Sequence, residues 1–347
     1  MKVVDASGTR AESARHSPKL AGLRNWASGE NVAALVVFVA LFYVPYVFAG
    51  YPVFVLPQYM LFGVLAMSLC LLWGFGGMVS FGQGAFFIVG AYSMGIAVRD
   101  IAGSFGPWVG IGVGVAIATA VAAAVGYFLF SARVRDSYFV LVTLAISTIA
   151  QVMANTASDL TGGFNGMFVP RVSFNIPGVG LSLESDLTAY YVIFLVTLGT
   201  YLGLRTLQRS AFGKVLVSIR ENEERTESLG YNTALRKTLA FAISGGVAAL
   251  AGAFYATDAG FVSPDLGGVL FSTNVVIWVA IGGRQYFLGA LVGAIGISAL
   301  SNQLNAAIPK YWQLILGVLF FVVIAFFRQG LVGTILTIRS PKRSASD

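Results

Sequence analysis

The chain has 347 residues, 57% of them hydrophobic and only 11% charged, a balance that excludes an ordinary soluble domain. Its net charge of +7 is accounted for by orientation in an anionic membrane, so nucleic acid is not an expected partner. A single cysteine, Cys70, allows no intrachain disulfide, and the one histidine, His16, stands without partner ligands; neither a metal nor a cofactor is expected.

Residues 1–30 lack the apolar core of a signal peptide and read as a polar amino-terminal tail. From Asn31 to Val98 there is no Asp, Glu, Lys or Arg, which leaves room for three crossings of roughly 20 residues each. Helices fit this run and barrel strands do not, because alternation is missing and backbone groups in lipid must pair within their own segment. Hydropathy, punctuated by Pro, Gly and charge, predicts spans over 32–50, 54–74, 79–98, 108–130, 138–157, 188–207, 238–257, 268–281, 286–303 and 311–327. The expected fold is all-α, a polytopic bundle of about ten transmembrane helices over 31–335, with tails at 1–30 and 336–347. Two places strain that count: the glycine-rich turn before the third span, and the short eighth span. Either fits a broken or re-entrant helix.

Charge supports the crossing pattern. With the amino terminus in the cytoplasm, every Lys and Arg among the 22 falls on the inside except Arg99, Arg171 and Lys310. Asp100, Asp159, Glu184, Asp186, Asp258 and Asp265 share the outer side. Both tails are therefore expected inside.

Trp73 to Tyr92 contains glycine at 74, 76, 77, 82, 84 and 90, too many for an ordinary helix. Either the glycines let helices approach closely, as Gly106, Gly110 and Gly114 would in the fourth span, or the helix breaks and lines a polar cavity. Ser80 and Gln83 need partners or water at that depth. Between the fifth and sixth spans, TGGFNG (161–166) reads as a tight turn or as a docking loop for an external protein, with Gly163 and Asn165 at its centre. Asn274, in an otherwise apolar span, either bonds a neighbouring helix or, with Trp278, faces a pathway.

The sixth and seventh spans flank a charged island, with a loop at about 208–237 that includes SIRENEERTESLGYN (218–232). Ser210 is placed to cap a helix and Gly230 to end it. Glu221 and Arg225 form a favourable i,i+4 pair, whereas Glu223 and Glu227 repel. A short helix of this kind is marginal in water unless something docks on it. The segment is either a solvated connection or a grip for a soluble partner.

The stretch RENEERTESLGYNTALRKTLA (220–240) resembles the cytoplasmic coupling loop of ABC-importer permeases. SFGQGAFFIVGAY (80–92), TGGFNG (161–166), FAISGGVAALAGAFYA (241–256) and WVAIGGR (278–284) extend the resemblance in order over about 50–335. The branch it is similar to is the branched-chain amino acid permeases, with the closely related urea and short-chain amide permeases. The resemblance implies an inner-membrane permease subunit that works with two ABC ATPase subunits, a second homologous permease and an external or periplasmic solute-binding protein. It implies ATPase contact through Arg220, Glu221, Arg225, Gly230, Tyr231 and Asn232. The substrate pathway is assigned to Ser80, Phe81, Gly82, Gln83 and Gly84 together with Asn274 and Trp278. No phosphate-binding loop is present, since Gly213-Lys214 runs into Val215. The chain is not expected to be an enzyme, and ATP hydrolysis belongs to a separate subunit. No acid or base falls at the centre of a predicted span, which counts against the alternative, an ion-coupled secondary transporter of small neutral solutes. The expected cargo is a branched-chain amino acid or a neutral solute such as urea or a short amide.

Overall fold

A computed structural model describes residues 18–321, apart from 49, 102, 104, 135, 177–178, 183–184, 313, 316 and 319–320. The long helices are α1 (Pro18–Val47), α2 (Tyr51–Cys70), α3 (Gln83–Asp100), α4 (Gly106–Ser131) and α5 (Asp136–Thr156). After the one-turn α6 (Ser158–Thr161) come α7 (Asp186–Arg209), the short pair α8 (Ala211–Glu221) and α9 (Glu223–Ser228), then α10 (Thr233–Ala259), α11 (Val269–Gly282) and α12 (Phe287–Ala307). Each of the first nine predicted spans has its helix. The tenth, 311–327, lies mostly outside the described residues, as do most of the amino-terminal tail and all of the carboxy-terminal one.

Among the described residues, seven helical segments are long and apolar enough to cross a membrane: those within α1 and α5, the whole of α4, α7, α10 and α12, and α2 with its extension to Phe75. Outward-facing side chains such as Leu35, Phe128 and Leu195 are more than half exposed, as lipid-facing residues of a helical membrane bundle are. The two segments that fall short are α3 and α11, the places where the sequence strained the count. Both helices start near the middle of the bundle instead of at its surface.

The chain enters α3 by an unusual path. α2 does not stop at Cys70 but widens into a π turn, Leu71–Phe75, and residues 77–82 then run back into the bundle without helical structure. At the start of α3, Gln83 meets Ser68 of α2 and Ser244, near the midpoint of α10. The approach to α11 mirrors this from the other end. After α10 the chain pairs Phe261–Val262 (β4) with Met167–Phe168 (β1), then dips inward through a 3₁₀ turn, Pro264–Gly267. Ser272 of α11 contacts Ser147, at the midpoint of α5. A second hairpin, β2 (Ser173–Ile176) with β3 (Val179–Ser182), precedes α7.

α3 is deeply enclosed because glycine admits its neighbours. A Cβ at Gly114 of α4 would lie 3.1 Å from the Cα of Gly90, and one at Gly110 would lie 2.8 Å from the Cα of Met94. On the opposite side, a Cβ at Gly90 would overlap the Ala249 carbonyl of α10, and one at Gly252 would overlap the Phe87 carbonyl of α3. Small residues thus let backbones touch where water exclusion gives no preference for protein over lipid. The glycine-rich stretch both breaks and packs, with protein groups instead of a polar cavity at the break: Gly74, Gly76, Gly77 and Gly82 belong to the break, and Gly90 belongs to packing.

α1 begins at Pro18, well before the expected residue 32. Glu30 does not end a polar tail: it is buried on α1 with its carboxylate 3.4 Å from the guanidinium of Arg205 on α7, and Arg205 also donates to Tyr201 Oη. Paired in this way the charge can lie inside a helix that continues into the apolar layer, although removing one partner of such a pair costs about 3–5 kcal/mol.

The close approaches at glycine give a direct test. Gly252→Ala places a methyl where the Phe87 carbonyl lies and is expected to destabilise the purified protein by about 2 kcal/mol, the scale of overpacking. Gly199→Ala, at a helical glycine with open space around it, should be neutral or slightly stabilising. Thermal melting in detergent separates the two, and equal melting points would refute the packing account.

Candidate functional site

The island forms a compact appendage between α7 and α10. α8 is one-sided, with Gly213, Leu216 and Ile219 buried and Lys214, Ser218 and Glu221 exposed. Asn222 leaves helical conformation, and its side chain caps α9 by accepting from Arg225 N at 2.8 Å. That break puts Glu221 and Arg225 on different helices, so the expected i,i+4 pair is absent from the ion pairs of the described residues. The expected Glu223–Glu227 repulsion is relieved by cations from outside α9: Lys237 pairs with Glu223, and Arg133 lies 3.3 Å from Glu227. Ser210 stands before α8 but donates to Leu207 O instead of capping.

Gly230, with φ +87°, turns the chain, and Asn232 caps α10 by accepting from Leu235 N at 3.0 Å. Around that turn Leu229 is 71% exposed and Tyr231 45% exposed, on a part of the molecule otherwise rich in charge. Beside them a polar cleft of about 1100 Å³ is bordered by Arg133, Glu224, Tyr231, Asn232 and Lys237. Glu221, Arg225, Gly230, Tyr231 and Asn232 are all exposed. Arg220 is exposed as well, but its Nη1 reaches back and donates to the carbonyl of Gly74, in the π turn.

Where α3 and α11 begin, polar atoms are paired by side chains. Ser68 Oγ lies 2.9 Å from Gln83 Oε1, Gln83 Nε2 donates to Ser244 Oγ at 3.1 Å, and Ser244 Oγ donates to Ser68 O at 2.7 Å. Phe81 N donates to Thr143 Oγ1 and Gly82 N to Ser80 Oγ, both at 3.1 Å. Ser147 Oγ donates to Gly267 O at 2.8 Å. Ser80 and Gln83 are fully buried with protein partners. Gly84 is the point of contact between the two breaks, since a Cβ there would lie 2.6 Å from Ser272 Oγ and 3.1 Å from Leu266 O.

Asn274 and Trp278 line a cavity of about 490 Å³ bounded by α2, α11 and α12. Its polar groups include Gln58, Asn274, Ser301 and Asn302, and among the described residues no charged side chain lines it. The apolar wall is an aromatic group in which Phe62 stacks on Trp278 at 5.1 Å and on Tyr255 at 5.4 Å, with Phe271 edge-on to Trp278 at 6.0 Å. Ser80–Gly84 do not line this cavity; they reach it through Leu266, which does. Gln58, Ser301 and Asn302 went unnoticed in the sequence, where Gln58 is a lone polar residue in an apolar run and Ser301 and Asn302 sit in the polar end of a predicted span.

At the opposite end, Gly162, Gly163 and Gly166 all have positive φ, and Gly163–Asn165 forms a 3₁₀ turn. The turn exposes Asn165 and leaves Phe164 and Phe168 86% and 83% exposed. Asp186, one of the acids assigned to the outer side, pairs with Arg171. Glu184 lies outside the described residues.

Comparison with known proteins agrees with this layout. Residues 51–324 match the family described as "Branched-chain amino acid transport system / permease component". The high-affinity branched-chain amino acid transport system permease protein LivM of Salmonella typhimurium is 26% identical over 322 residues, 87% of this chain and 74% of the relative. Its Escherichia coli counterpart is 27% identical over the same coverage. The autoinducer 2 import system permease protein LsrC of Salmonella paratyphi B is 30% identical over 127 residues, 33% of this chain and 37% of the relative. No solved structure matches. With the helical bundle, the charged island and a family match that spans most of the sequence, this chain belongs to the permease components of branched-chain amino acid transport systems.

Proposed function

We propose that the chain is the membrane-spanning permease subunit of an ATP-driven importer in the inner membrane and that its cargo is a branched-chain amino acid. The observation that carries this reading is the island, where two capped helices present exposed Leu229 and Tyr231 beside a mixed-charge cleft. Exposed apolar side chains rimmed by charge mark a protein contact, and the family supplies the partner class. On this reading Glu221, Arg225, Gly230, Tyr231 and Asn232 form or shape the seat of an ABC ATPase. Two such ATPases, a second related permease and an external solute-binding protein complete the complex.

The distribution of Lys and Arg supports cytoplasmic tails and a cytoplasmic island, with a permease domain over 31–335 and the coupling loop at about 208–237. The external protein then docks where Gly163 and Asn165 shape the loop that exposes Phe164. Substrate passes along the cavity bearing Asn274 and Trp278, while Ser80–Gly84 form the packed hinge behind it. Amide and hydroxyl groups against an aromatic wall suit a zwitterion with an apolar side chain. Urea or a short amide fits the same uncharged lining less fully, because it leaves the aromatic wall unused. The names of the relatives support the amino acid.

Reconstituted with its ATPases and binding protein, the chain should take up labelled leucine only when ATP is hydrolysed, and labelled urea poorly. Uptake that persists without the ATPases, or that follows an imposed ion gradient, would sink the importer reading. Tyr231→Ala combined with Leu229→Ala should weaken co-purification of the ATPases about tenfold, the effect of losing one well-buried interface anchor. Trp278→Ala should leave that co-purification unchanged and lower leucine uptake about tenfold, the scale of removing one solute-binding side chain from the transport path. An unchanged uptake rate would remove the cavity from the pathway.

A further inference from the structure

We propose that Arg220 is a positioning residue that ties the island to the broken segment before α3, and is not a contact to the ATPase. The proposal rests on the importer reading above. Gly74 lies in the π turn, where the helical bonding pattern slips: Met78 N–H, four residues further on, donates to Leu72 O at 3.1 Å. The Gly74 carbonyl is thereby freed of its α-helical donor, and the Arg220 guanidinium donates to it. A charged donor makes a stronger hydrogen bond than a neutral amide.

The surrounding backbone is shaped to receive that side chain. Gly77 has φ +76°, and a Cβ there would lie 2.8 Å from Arg220 Cγ. A Cβ at Gly76 would touch Leu216 of α8 at 3.7 Å, and one at Gly74 would overlap the carbonyl of Arg284, in the turn between α11 and α12. Cys70 Sγ donates to that same carbonyl at 3.2 Å. The π turn is therefore wedged between the island and the end of α11, with Arg220 as its polar link to the island.

From this link the chain runs to the middle of the bundle in a few residues. Residues 76–82 lead to Phe81, held by Thr143, and to Gln83, held by Ser68 and Ser244. A shift of α8 would be transmitted through Arg220 to the Gly74 carbonyl, and from there to the start of α3 and to Gly84, which touches the start of α11. Coupling of this kind travels through packed elements that have two discrete arrangements.

Arg220→Met keeps the aliphatic stem over Gly77 and removes the donor. In the complete reconstituted complex it should retain its ATPases on purification, while solute moved per ATP hydrolysed falls about tenfold, the order of the coupling that one residue along such a path carries. Arg220→Lys, with a single-point donor, should recover part of that ratio. Loss of the ATPases from the Arg220→Met complex would overturn the proposal in favour of a docking role, and a wild-type ratio would overturn it outright. Should Arg220→Met fail to insert, Arg220→Lys carries the same comparison: a reduced ratio with ATPases retained supports the link, and an unchanged ratio refutes it. Failure of the importer reading itself is distinguishable, because the unmodified complex would then show no ATP-driven uptake.

Discussion

A peptide group withdrawn from water must find a hydrogen-bond partner, and this bundle interrupts its helices twice where water is scarce. Each interruption survives because a neighbouring helix supplies a small polar side chain at the right height. Thr143 and Ser147 lie on successive turns of α5, and they serve the two breaks separately: one takes the Phe81 amide and the other donates to the Gly267 carbonyl. Ser68 and Ser244 hold Gln83 from α2 and α10. A bundle of uninterrupted helices would need none of these groups.

The breaks also explain the packing. α3 is shorter than its neighbours α4 and α10, and it approaches both closely through glycine. Its approach to α10 brings α3 against the helix that grows directly out of the island. α2, which contributes the π turn, lies on the other route out of the island through Arg220. The soluble-facing appendage is thus connected to the interior by two short paths, one through the body of α10 and one through the turn at Gly74.

Much of this was visible in the amino-acid sequence because apolar runs of span length leave little choice of structure. The glycines of 74–84 marked the first break, and the shortness of the eighth span marked the second. The partners of those breaks were not legible. A serine or threonine in an apolar helix often bonds its own backbone, as Thr197 does to Ile193 O and Ser301 to Ile297 O, and nothing in the sequence distinguishes these from Thr143 or Ser147. The start of α1 was missed because Glu30 reads as a boundary until Arg205, far along the chain, is placed beside it. The paired segments β1 and β4 are two residues each, too short to show alternation. Arg220 looked like its exposed neighbours in the island, since only the fold reveals an unpaired carbonyl within its reach.

The meeting of α3 and α11 near the middle of the bundle has an electrostatic consequence. Both helices present their amino-terminal ends there, and neither has a side chain capping that end. Helix amino termini carry partial positive charge; the acid of the chain next to either end is Asp265, in the exposed turn before α11, where its carboxylate accepts from Gln151 Nε2 at 3.0 Å. Two such ends near the middle of the bundle favour a group without positive charge over a cation at that depth. The broken helices thereby shape the electrostatics of the interior as well as its packing.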